Sequence, residues 1–131
     1  MTLQVELVVP DGEVWSGSAQ MVIAKTLEGD IGVLTGHAPV LGILAEGSVV
    51  RIRPDEGGEE ISAAVSSGFF SIADDRVSVL ARQAQLGAEV DTAAAQSALD
   101  SALEEAGPGQ ESADVRYYRA QLRAAGSGSG S

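Results

Sequence analysis

The chain has 131 residues, 44% of them apolar, and sets 19 acidic against 8 basic side chains, for a formal net charge of −11. That is enough apolar material for one packed domain, and too acidic a balance for a protein that grips nucleic acid, which needs a basic footprint. With no cysteine and a single histidine, His37, a disulfide framework, a thiolate metal site and a multi-histidine centre are all excluded. No apolar run approaches the roughly 20 residues of a membrane-spanning helix. Lys25 is the first basic residue, so a signal peptide with a basic n-region is not expected. The expectation is a soluble, intracellular protein that carries neither a metal nor a cofactor.

In chain order, Leu3, Val5, Leu7 and Val9 alternate with Thr2, Gln4, Glu6 and Val8, the period of a half-buried strand. Pro10-Asp11-Gly12 turns the chain. A short strand over Glu13–Ser16 and a longer one over Ala19–Thr26 follow, then a corner at Gly29-Asp30 and a strand over Ile31–Leu34. Val50 and Ile52 alternate with Arg51 and Arg53, apolar inward and cationic outward. Pro54 to Glu60 is an acidic turn centred on Gly57-Gly58. Strands over Ile61–Ser67, Phe69–Ile72 and Val77–Ala81 complete the set, the last two joined across Asp74-Asp75. Short strands punctuated by Gly, Pro and Asp at about ten-residue intervals predict an all-β sandwich or barrel over residues 1–86.

Past Leu86 the composition changes. Alanine occupies seven of residues 87–106, and β-branched residues nearly vanish. Asp91 or Thr92 is placed to cap a helix, and Val90, Ala94, Ala98, Leu99, Ala102, Leu103 and Ala106 form a weak apolar stripe. Gly107-Pro108-Gly109 ends it. Ser112 is an N-cap for a second helix, with Val115, Tyr118 and Leu122 on one face and Arg116, Arg119 and Arg123 along another. Residues 87–125 therefore read as a helical hairpin. Residues 126–131 alternate Gly and Ser, a linker composition set aside from the fold.

Charge divides along the same lines. Residues 1–86 hold 12 acids and 5 bases, residues 87–110 five acids and no base, and residues 111–131 two acids and three arginines. An acidic arm precedes a cationic one.

The run Glu28-Gly29-Asp30-Ile31-Gly32-Val33-Leu34-Thr35-Gly36-His37-Ala38-Pro39-Val40-Leu41 resembles the signature loop of ATP synthase epsilon subunits. Val14-Trp15-Ser16-Gly17, Gly47-Ser48-Val49-Val50-Arg51-Ile52, Ser67-Gly68-Phe69-Phe70-Ser71-Ile72 and Val77-Ser78-Val79-Leu80 follow that family's pattern in the same order. The resemblance implies a sandwich of about ten strands followed by a helical hairpin. It also implies a non-catalytic rotor subunit in the central stalk of a proton-translocating F-type ATP synthase. Such a subunit binds gamma and the ring of c subunits, couples proton flow to ATP synthesis, and restrains hydrolysis when its hairpin reaches the alpha/beta catalytic head. Its place is peripheral, at the cytoplasmic face of the bacterial cell membrane.

Carried over by position, Glu28, Asp30 and Ile31 contact the c-ring, and His37, Ala38, Pro39 and Val40 face gamma. Asp91, Arg116, Arg119 and Arg123 belong to the regulatory hairpin. One position departs from the ATP-binding members of the family: Val90-Asp91-Thr92-Ala93-Ala94-Ala95 puts Ala94 where their motif has a phosphate-pairing arginine. The alternative reading is a free-standing small-ligand module whose hairpin closes over ATP.

The remaining chemistry-bearing residues have plain readings. His37 has no identifiable catalytic partner. Asp74-Asp75 and Glu59-Glu60 are turn residues. Trp15, Phe69 and Phe70 pack in the core or at an interface.

Overall fold

A computed structural model describes residues 2–55, 58–107 and 112–128, and the side chains of these up to Gly126. Gly57, Pro108 and Gly109, assigned above to turns, lie outside the described residues, as do 129–131 of the Gly/Ser tail.

Nine strands are described: β1 (Leu3–Val9), β2 (Gly12–Thr26), β3 (Gly29–Val33), β4 (Val40–Ile43), β5 (Ser48–Pro54), β6 (Ile61–Val65), β7 (Gly68–Ala73), β8 (Arg76–Ala81) and β9 (Ala84–Leu86). A 3-10 turn over Gly87–Glu89 leads to α1 (Thr92–Ala106) and α2 (Ala113–Gly128). The sandwich-plus-hairpin expectation holds, with adjustments in the strands. The two segments predicted at Glu13–Ser16 and Ala19–Thr26 are one 15-residue strand, because nothing between them breaks the ladder. The short strands β4 and β9 were not anticipated.

The long β2 organises the sheet. Along one edge it pairs first with β1 (Val9 opposite Gly12, Leu3 opposite Ala19) and then with β3 (Val22 opposite Val33, Thr26 opposite Gly29). Along its other edge it pairs with β5 over Ala19–Ile23. The full order is β4-β7-β8-β1-β2-β5-β6-β9, antiparallel at every named pair except the parallel β1–β8. Serving two sets of neighbours, β2 belongs to both layers of the sandwich. The alternating residues Leu3, Val5 and Leu7 meet Val50, Ile52, Phe70, Ile72, Val77 and Val79 in a core drawn entirely from residues 3–86. Arg51 and Arg53 point outward as their alternation predicts.

β6 breaks that alternation. Ser62, Ala63, Ala64 and Val65 are all buried, since Ala63 and Val65 face the core while Ala64 lies under α2 with Tyr117, Ala120 and Ala124. This corrects the expected face of α2. Tyr118 and Leu122 are only half-buried, and the seat is made by Val115, Tyr117, Ala120 and Ala124. The reason is backbone proximity. A Cβ at Gly47 would run into the backbone carbonyl of Arg116, and one at Gly87 would lie 2.7 Å from the Ala124 carbonyl carbon. Gly47 also has φ +63°, open to glycine at little cost. Only small residues on both sides let the helix come so close.

Both helix starts behave as read. The Asp91 carboxylate accepts from the Ala94 N–H at 3.0 Å, and the Ser112 hydroxyl accepts from the Val115 N–H at 3.2 Å. Gly107, with φ +80°, ends α1 and donates to the Leu103 carbonyl at 3.1 Å. α2 continues through Gly126 to Gly128, so the helix outruns the predicted hairpin boundary. α1 packs on α2 rather than on the sheet, burying Ala95 and Leu99, so its place depends on α2 staying seated.

Two outcomes follow from this packing. Gly87→Ala drives a methyl into the α2 backbone, at a cost of about 1–3 kcal/mol for overpacking. Hydrogen exchange should show α2 amides losing protection while β1, β5 and β8 keep theirs; unchanged α2 protection would contradict the seat. A truncate ending at Leu86 retains the whole first core and should melt cooperatively, as followed by circular dichroism.

Candidate functional site

No catalytic constellation emerges: among the described residues no three His, Asp or Glu side chains are grouped as metal ligands would be. The candidate sites are surfaces, and each is held by identifiable local chemistry.

The first is the β2–β3 corner. The Thr26 hydroxyl donates to the Gly29 carbonyl at 2.7 Å and accepts from the Glu28 N–H at 3.1 Å, making the corner rigid. Gly29 supplies the φ of +120°. Leu27, 69% exposed, and Glu28 form the tip. Asp30 is not at the tip: it sits inside β3, opposite Lys25. Ile31 is half-buried against the core. Of the three predicted contact residues, Glu28 and Asp30 are exposed together, and Leu27 joins them unanticipated. A lone leucine in a turn carries little periodic signal.

The second is the loop around His37. The His37 N–H closes a turn onto the Leu34 carbonyl at 3.3 Å, and His37 Nδ1 lies 2.7 Å from the Ala38 carbonyl oxygen. Across the fold, the Asp75 carboxylate accepts from the Gly36 N–H at 2.7 Å. Asp74 and Asp75 are both in the left-handed region, with φ of 51° and 60°, as a tight hairpin turn requires. Asp75 is therefore a turn residue that also pins this loop, a role invisible at 39 residues' separation. Ala38 and Pro39 are exposed, and Val40 opens β4.

β4 leads to the third surface. Ile43, Phe69 and Leu80 are matched across β4, β7 and β8, and Leu80 is matched to Val8 on β1. Ile43, Phe69 and Leu80 are about half exposed, and Leu41, two residues earlier on the same face as Ile43, is 76% exposed. A row of apolar side chains running across four strands is a contiguous patch, the mark of an interaction surface rather than of scattered surface leucines. Phe70 is core, whereas its neighbour Phe69 faces out.

The fourth is the hairpin's cationic arm. Arg116 reaches Glu46 at 3.4 Å, and Arg123 Nη2 donates to the Gly47 carbonyl at 3.2 Å. Two of the three arginines thus meet the turn before β5, on the acidic sandwich and not on α1. Both members of the Arg116–Glu46 pair are more than 40% exposed, so it adds at most about 1 kcal/mol. Gln121 donates to Gln85 at 2.6 Å farther along. Burial against the sheet raises the Tyr117 phenol above its ordinary pKa, partly offset by the hydrogen bond with Gln121. Ala94 is exposed at the start of α1, a helix without a single basic residue. Asp91 is occupied in capping.

Comparison with known proteins places the chain in a family. A model of the "ATP synthase, Delta/Epsilon chain, beta-sandwich domain" matches residues 2–87. The ATP synthase epsilon chain of Thermobifida fusca is 50% identical over 125 residues, 94% of this chain and 91% of its own. That of Streptomyces griseus is 49% identical over 122 residues, 92% of this chain and 97% of its own. That of Frankia casuarinae is 52% identical over 86 residues, which are 66% of this chain and 99% of the relative. In fold, the chain is similar to one in the mitochondrial ATP synthase of Euglena gracilis, with a TM-score of 0.76 at 21% identity, covering 95% of this chain and 81% of the other. On this evidence the chain belongs to the ATP synthase epsilon chain family.

Proposed function

We propose that the chain works as the epsilon subunit in the central stalk of a proton-translocating ATP synthase, joining gamma to the c-ring and restraining ATP hydrolysis through its C-terminal helices. It is not itself a catalyst, and it associates peripherally with the membrane through the complex. We assign it to the cytoplasmic face of the bacterial cell membrane, the location implied by its resemblance to epsilon subunits.

The observation that carries the reading is the division of labour between the two layers. The outer face of β4-β7-β8-β1 keeps Leu41, Ile43, Phe69 and Leu80 uncovered, while the β5–β6 face is occupied by α2. The uncovered apolar row suits a permanent partner, which we take to be gamma, with Ala38, Pro39 and Val40 at its edge and His37 fixing the loop. The rigid Leu27-Glu28 tip, with Asp30 and Ile31 behind it, suits contact with the polar loops of the c-ring. A rotor contact must carry torque without yielding, and a turn locked by Thr26 on a sandwich does so better than a flexible arm.

The occupied face suits a latch. Apart from Val115 and Tyr117, α2 meets the sheet through alanines and glycines, which bury less apolar area than larger side chains, and its exposed ion pair adds little. The buried Ser62 hydroxyl, on the same outer face as Ala64, has no hydrogen-bond partner among the described residues. Leaving it unpaired offsets part of the gain on docking. A seated and a released arrangement separated by a few kcal/mol is what a switch needs. In the released state Arg116, Arg119 and Arg123 become available to acidic loops of the catalytic head. The ATP-sensing alternative is disfavoured by Ala94 and the absence of any cation on α1.

Phe69→Asp places a charge in the apolar row without entering the core. It should weaken binding to gamma by tenfold or more in a co-purification or titration assay, with the melting temperature unchanged; undiminished binding would place gamma elsewhere. Adding the full chain to a catalytic head lacking epsilon should lower its ATPase, and the chain truncated after Leu86 should not. Equal inhibition by both would remove the hairpin from the regulation.

A further inference from the structure

We propose that Lys25, Arg51 and Arg123 form a binding site for a phosphate-type oxyanion, completed when α2 is seated on the sandwich. The three side chains line one surface cavity of about 400 Å³, floored by Ile23 and Val49 and bordered by Asp30. That volume is within the range of small-ligand sites. The strands dictate the grouping. Lys25 follows Ile23 by two residues on β2, so both face outward, and Arg51 on β5 lies directly opposite Ile23. Seating α2 brings Arg123 over the same floor through its bond to the Gly47 carbonyl.

Charge makes the grouping unusual. The chain has only 8 basic residues against 19 acidic ones, yet three of the 8 converge here. Among the described residues neither Lys25 nor Arg51 makes an ion pair or a side-chain hydrogen bond, although Arg53 on the same strand reaches Glu60 at 3.8 Å. Asp30 is the one carboxylate lining the cavity, and it pairs with none of the three within ion-pair distance. Arg123 spends one N–H on Gly47 and keeps the rest of its fork. Two planar guanidinium forks and one ammonium surrounding a cavity are the donor set that recognises a phosphate group. An anion held there would relieve the mutual repulsion of the three cations.

The site joins two parts of the molecule. Lys25 and Arg51 belong to the sandwich, and Arg123 belongs to the mobile candidate, α2. An oxyanion touching all three binds the seated arrangement better than the released one, and so stabilises it by linkage. No α1 residue takes part, and the site requires only the seated helix, not the assignment to a rotor.

The test uses the isolated full chain, titrated with inorganic phosphate against chloride at matched ionic strength and followed by NMR. Phosphate should give saturable shifts at Lys25, Arg51 and Arg123 and slow the exchange of α2 amides. Arg51→Glu, an exposed substitution checked by its melting curve, should abolish saturation. Asp30→Asn should tighten binding by about two- to fivefold, the scale of one exposed charge interaction. Equal responses to phosphate and chloride, or unaltered saturation in Arg51→Glu, would overturn the site. A second arm compares vesicles of phosphatidylglycerol with phosphatidylcholine. A free-anion site predicts no extra sedimentation with the anionic vesicles; sedimentation without any response to free phosphate would refute it and point to a lipid headgroup.

Discussion

The fold depends on one strand being long enough to serve two layers. β2 gives its first half to β1 and its second half to β3 and β5, and every other strand reaches the core through those neighbours. Had the chain broken between Ser16 and Ala19, as its Ser-Gly-Ser composition invites, each half would be a short strand with its own register to find. Continuity fixes the register of both layers at once. It also sets the β2–β3 corner at the end of a stiff rod, which is why a turn of exposed residues can be a mechanical contact.

The two outer faces follow from that arrangement, and they are covered in opposite ways. On the β4-β7-β8-β1 face large apolar side chains stand half exposed or more in a row, a costly exposure unless a partner buries it. On the β5–β6 face the side chains are small, and a helix fills the space at backbone distance. Large residues make a strong contact that has no need to open. Small ones allow a close fit of helix backbone to sheet, with Val115 and Tyr117 the larger side chains buried in α2. The chemistry of each face matches the permanence of the contact proposed for it.

Charge tells a related story. The acidic first arm and cationic second arm invite pairing between the helices. Two of the three arginines, Arg116 and Arg123, instead reach the Glu46-Gly47 turn on the sandwich. Among the described elements α1 packs chiefly on α2, so release of α2 removes its main support.

Much of this was legible from local pattern. The alternation of Leu3, Val5 and Leu7, the outward Arg51 and Arg53, and the caps at Asp91 and Ser112 all appear as read, since each depends on residues within a turn or a pleat of one another. The signature run from Glu28 to Leu41 identified the family before any geometry was known. What could not be read is what depends on distant neighbours. β4 and β9 are too short for a periodic signal and exist because β7 and β6 offer them partners. The seat of α2 was expected on Val115, Tyr118 and Leu122 by hydrophobicity. Val115 is buried as expected, but its companions are Tyr117, Ala120 and Ala124, because Gly47 and Gly87 admit a backbone and exclude side chains. Phe69 and Phe70 are indistinguishable by type, and only their register on β7 sends one outward. Local spacing was enough for most of the longer elements, the helix caps and the family. The tertiary structure alone decided which surfaces are left bare, which are covered, and which charges gather, because those depend on contacts between residues tens of positions apart.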